Sequence, residues 1–76
     1  MSPHFLAQSG ELLFGKAWAA QLAVALDCST TSIGNYRSGK AAIPERIARK
    51  LRLMLTDRVA ALSLLCKEID TQTATP

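Results

Sequence analysis

Between Thr30 and Ser38 the chain carries Thr30, Thr31, Asn35, Arg37 and Ser38, and the only large apolar groups among them are Ile33 and Tyr36, three apart. Hydroxyls, a carboxamide and a guanidinium make no nucleophile and base pair; their chemistry is hydrogen bonding. Wound as a helix, the segment is pinned by Ile33 and Tyr36 and presents small polar groups elsewhere on the cylinder. A globular core has little use for such a helix, whereas a major groove admits one and offers base edges to an amide or a hydroxyl. Catalysis is not expected. The six carboxylates, Glu11, Asp27, Glu45, Asp57, Glu68 and Asp70, have no partner at catalytic spacing, His4 stands alone as a surface histidine, and no Gly-rich phosphate loop is present.

The elements that must position this segment lie on either side of it. Trp18, Leu22 and Leu26 recur every four residues with Ala19 and Ala23 beside them, which reads as an amphipathic helix from Lys16 to Leu26 with Trp18 in the core. Asp27, Cys28 and Ser29 break that pattern. Asp and Ser both hydrogen-bond nearby backbone, and Ser29 is placed to cap a helix from Thr30 to Ser38 that Gly39 closes. Upstream, Ser2 and Pro3 make a helix start, Phe5, Leu12 and Leu13 share a face, and Gly15 suits the end, so the first helix is expected at about Pro3 to Phe14. Gly10 in its middle costs about 1 kcal/mol relative to Ala and leaves open a later start capped by Ser9.

Downstream, Lys40 to Ile43 reads as a loop and Pro44 as the first residue of the last helical region. Ile47, Leu51, Leu55, Val59, Leu62, Cys66 and Ile69 follow at spacings of 4, 4, 4, 3, 4 and 3. One helix from Pro44 to Asp70 would be about 40 Å long, against a radius of gyration of about 11 Å for a compact chain of this size. Its second half must overhang, and a second copy of the chain is the natural cover; Val59, Leu62, Leu65, Cys66 and Ile69 are the candidate dimer interface. The alternative is a break at Thr56 and Asp57, a good cap pair, with a fifth helix folded back. The fold class expected is all-α, four to five helices in one domain over residues 1–70, with the dimerisation helix at about 44–70 and a disordered tail at 71–76.

The stretch AAQLAVALDCSTTSIGNYRS, Ala19 to Ser38, resembles the helix-turn-helix of small phage and bacterial repressors of the lambda-repressor and Cro-like group. The residues that carry the resemblance are Leu22 and Ala23 inside the first motif helix, Cys28 ending the turn, then Ile33, Tyr36 and Gly39. One departure is Asp27 where that family usually has Gly; the position favours positive φ, which Asp tolerates better than most residues. The resemblance implies that Thr30, Thr31, Asn35 and Ser38 face the groove and read bases, with Gly34 allowing close approach. Asn35 is the strongest candidate, because an amide pairs bidentately with adenine. It further implies a homodimeric repressor of its own operon, bound to a palindromic operator in double-stranded DNA with recognition helices about 34 Å apart. Cro-like proteins, antitoxins and repressors associated with anti-CRISPR genes are autoregulators of this kind. The antitoxin case raises the alternative of a protein-binding module that captures a protein partner with its last helix.

Charge agrees with a nucleic-acid partner. From Arg37 to Arg52 six basic residues stand against Glu45 alone, +5 in sixteen residues, while the rest of the chain nets −2. Lys16, Ser29, Arg37, Lys40, Arg46 and Arg49 are the candidate contacts to the DNA backbone; Gln21 is a weaker one. The chain has 76 residues, 49% hydrophobic and 20% charged, which suits one small globular domain whose core is stabilised by self-association. Cys28 and Cys66 lie far apart without further ligands and read as small buried hydrophobes, so neither a metal site nor any cofactor is expected. No apolar run reaches bilayer length and MSPHFLAQ lacks a basic signal start, so a cytoplasmic protein with no membrane partner is expected.

Overall fold

In the computed structural model, which describes residues 1–73, the chain is all-α. Four helices follow in order: α1 (Pro3–Phe14), α2 (Trp18–Ala25), α3 (Thr30–Ser38) and α4 (Glu45–Thr73), with no strand among the described residues. The first three helices and the start of α4 form a head around a core of Leu6, Leu13, Trp18, Leu22, Ala23, Leu26, Ile33, Ile47 and Leu51. No helix among the described residues is long and apolar enough to cross a membrane.

Pro3 opens α1, as its sequence position requires, and no break occurs at Ser9. The buried line of α1 is Leu6, Gly10 and Leu13, however, and not the face shared by Phe5 and Leu12, which are both exposed. The cause is Trp18. Its indole packs flat against the gap at Gly10, where an added Cβ would lie 2.6 Å from Trp18 Cδ2. The bulkiest core side chain thus selects which side of α1 turns inward, and the glycine that weakens the isolated helix is what lets the two helices meet.

Gly15, at φ 81°, turns the chain out of α1, and α2 begins at Trp18, two residues later than its apolar spacing suggests. Its C-terminal end is a Schellman motif. The Cys28 N–H donates to the Ala23 carbonyl at 2.9 Å and the Asp27 N–H to the Val24 carbonyl at 3.1 Å, with Asp27 in the left-handed region at φ 54°. Asp27 is the sole non-glycine residue at positive φ among those described, and it occupies the position where the resembling family has glycine.

The last helix is continuous. The Pro44 carbonyl accepts the Ile47 and Ala48 N–H groups, so Pro44 precedes the helix instead of opening it from within. Thr56, a possible cap for a fifth helix, instead donates its hydroxyl to the Arg52 carbonyl at 2.9 Å, which leaves the helical ladder unbroken. Only Ile47 and Leu51 of α4 are fully buried, Met54 and Leu55 pack against the core edge, and every residue from Thr56 to Thr73 is exposed. The molecule is accordingly 56 Å long and 22 Å across, with a radius of gyration of 15.6 Å. Thr71 to Thr73, expected in the tail, are helical; residues 74–76 lie outside the described residues. Cys66 is exposed on the overhang and Cys28 half-buried beside the core, so the expectation of two buried thiols holds for neither in full.

Gly10→Ala tests the seating of Trp18. Helix propensity favours Ala by about 1 kcal/mol, while displacing a packed indole costs about 2 kcal/mol. A net loss of about 1 kcal/mol is expected in urea unfolding followed by Trp18 emission.

Candidate nucleic-acid interface

Helix α3 is short, and its two ends are both capped. The Ser29 hydroxyl accepts the Ser32 N–H at 3.0 Å and donates to Ser32 Oγ at 3.1 Å; at the other end Gly39 takes the left-handed conformation, φ 82° and ψ 6°. Ile33 is 1% exposed and Tyr36 half-buried, which fixes the rotation of the helix about its axis. With that side held, Thr30, Thr31, Gly34 and Ser38 fall within an arc of about 100°, and all four are exposed.

The hydrogen-bonding state of these groups differs. Ser38 Oγ donates to the Asn35 carbonyl at 3.3 Å, and Ser29 is engaged in its cap. Among the described residues no hydrogen bond holds the hydroxyls of Thr30 and Thr31 or the carboxamide of Asn35. Asn35 is half-buried at the border of the exposed arc. A Cβ built on Gly34 meets nothing within 4 Å, so this glycine does not serve packing inside the chain. A rigid, low face with open amide and hydroxyl groups is a surface that a second molecule can approach closely.

The cationic groups lie in three places. Arg37 is exposed and its guanidinium stands over the Trp18 ring, 5.5 Å from the centroid, which ties the far end of α3 to α2. Lys40 follows Gly39 in the loop, which is itself tethered by the Ala41 N–H to the Asn35 carbonyl at 3.2 Å. Lys16 is exposed in the turn before α2; with α2 beginning at Trp18, it does not sit on the helix N-terminus as its sequence position suggested. Arg46 and Arg49 are exposed on the first turns of α4, away from Ile47 and Leu51, and the helix that α4 approaches most closely is α1. Arg49 Nη2 is 2.7 Å from Glu45 Oε1, with both side chains about three-quarters exposed. Such a solvated pair contributes at most about 1 kcal/mol, so a phosphate can replace Glu45 at little cost.

No protein-family model, no curated protein and no solved structure matches the chain at a significant level. No cluster of three or more metal-ligating side chains is present among the described residues. Val59, Leu62, Leu65, Cys66 and Ile69 all lie on the exposed overhang of α4. One structural residue escaped the reading of the sequence. Arg58 Nη2 donates to the Leu13 carbonyl at 3.0 Å, satisfying a terminal carbonyl of α1 with a charged donor. Nothing in its local sequence marks it, because the partner lies 45 residues away.

The cap at Ser29 holds the N-terminal turn of the candidate reading helix. Ser29→Ala is expected to lower global stability by about 1 kcal/mol in chemical denaturation.

Proposed function

We propose that the chain is a sequence-specific regulator of transcription that binds double-stranded DNA, acting in the cytoplasm as a homodimeric repressor of its own operon on an inverted repeat. The observation that carries the reading is the state of α3: a helix pinned by Ile33 and Tyr36, capped at both ends and offering unengaged Thr30 and Thr31 hydroxyls on an exposed face with the half-buried Asn35 carboxamide at its border. The arrangement of α2, the turn at Asp27 and α3 supports its likeness to the helix-turn-helix of lambda-repressor and Cro-like proteins. Asn35 and the two threonines read base edges, Gly34 and Ser38 lie along the same approach, and Arg37, Lys40, Arg46, Arg49, Ser29 and Lys16 serve the phosphates. Repression follows from occupying a promoter. No catalytic role is proposed.

The exposed apolar side of the α4 overhang favours a second reading, a protein-binding antitoxin or adaptor that captures a partner with this helix. Gel-shift titration on the DNA upstream of the chain's own gene, against random DNA of equal length at physiological salt, separates the two. A preference of about a thousandfold is expected for a specific regulator; no binding to either DNA supports the protein-partner reading. Among variants, Asn35→Ala is expected to lose about 1 to 3 kcal/mol on the specific site alone, whereas Arg46→Ala weakens binding to all sequences and lowers the salt slope by about one per lost contact. Equal losses for both variants on both DNAs would refute this division of roles.

A further inference from the structure

The overhang of α4 has a direction as well as an exposed area. At about 100° per residue, Ile47, Leu51 and Met54, which face the head, and Arg58, which bonds Leu13, fall on the same side of α4 as Ala61, Leu62, Leu65 and Ile69. The apolar side of the overhang therefore looks toward the side on which the head stands, and head and overhang enclose a notch. A depression of about 350 Å³ at its base is lined by Leu13, Phe14, Met54, Asp57, Arg58 and Ala61.

We infer that this notch is filled by the α4 overhang of a second copy of the chain, running antiparallel to the first. A parallel partner meets an obstacle: its helix would continue along the face of residues 47–58 that α1 already covers, and its head would be driven into the first head. An antiparallel partner avoids both. Its overhang lies in the notch, its C-terminal end reaches the depression beside Leu13 and Phe14, and its own head stands beyond Thr73. With the dyad near Leu64 and Leu65, Leu62 meets the partner's Cys66, Val59 meets the partner's Ile69, and the two Leu65 side chains approach each other. Asp70, in the acidic tip, comes within about one residue of the level of the partner's Arg58, and the two helix dipoles oppose.

Area supports the same occupant. Val59, Leu62, Leu65 and Ile69 are each more than half exposed. With Ala61 and Cys66 they expose on the order of 500 Å² per protomer, so the symmetrical pair has up to about 1,000 Å² to cover, a figure that reaches the lower bound for a specific stable interface, and the depression at α1 adds to it. Leu53 and Leu64 lie on the opposite side of α4 and stay in water. Two heads at opposite ends of the rod stand about 40 Å apart along its axis.

The inference rests on the homodimer part of the reading above and not on DNA binding, and its test contains no DNA. In a Cys28→Ser, Cys66→Ser background, the single substitutions Leu53→Cys, Leu64→Cys and Thr71→Cys carry a nitroxide on the back of α4. Light scattering gives the mass and pulsed dipolar spectroscopy the distance between copies. The antiparallel pair gives its shortest distance at position 64, with an axial offset of about 20 Å at 71 and about 35 Å at 53. Equal distances at all three positions, or a monomer mass for the parent chain, overturn the inference. Leu65→Asp supplies the second check: a monomer with unchanged Trp18 emission supports it, and an undiminished dimer overturns it. A chain with the antiparallel distances that ignores its upstream DNA would leave this interface standing and remove the operator reading.

Discussion

The head depends on one contact, the indole of Trp18 laid against Gly10. Burying about 200 Å² of indole at about 25 cal/mol per Å² is worth about 5 kcal/mol, which is comparable with the whole stability of a chain this small. The same ring decides which face of α1 turns inward and brings α2 close enough for Leu22, Ala23 and Leu26 to share a core with Leu6 and Leu13. It also receives the guanidinium of Arg37 from α3. Three helices are thus aligned through one side chain.

The turn between α2 and α3 converts that alignment into a presented surface. The Schellman bonds from Asp27 and Cys28 end α2, and one residue later Ser29 caps α3, so the direction changes within three residues with the backbone groups satisfied. Ile33 then meets the core that Trp18 assembled, and the remaining side of α3 faces outward by default. Its low profile at Gly34 and its open amide and hydroxyls follow from a segment too poor in apolar groups to be buried on more than one side. This is the physical basis for reading α3 as a binding element.

Helix α4 shows the opposite excess. Its first two turns complete the core through Ile47 and Leu51, and Arg58 fastens it to the end of α1, but the apolar residues continue past the point where the head has surface left to cover them. A 29-residue helix is longer than the rest of the domain is wide. The result is a molecule whose apolar surface is divided between a finished core and an unfinished face, joined by one continuous rod.

Periodicity and capping chemistry by themselves determined most of the local structure. The bounds of α1 and α3, the cap at Ser29 and the αL closure at Gly39 are short-range effects, set by side chains within a few residues of the backbone they act on. The polar face of α3 was legible for the same reason, since two apolar pins suffice to orient nine residues. Tertiary structure alone decided the inward face of α1, where Leu6 and Gly10 replaced Phe5 and Leu12, because only packing reveals that the indole needs the space a missing Cβ leaves. It also decided that Thr56 bonds backward along an unbroken helix and that Arg58 reaches Leu13, a contact across 45 residues that no local pattern encodes. Spacing can say that a stripe exists; only the placement of the head says which way that stripe faces.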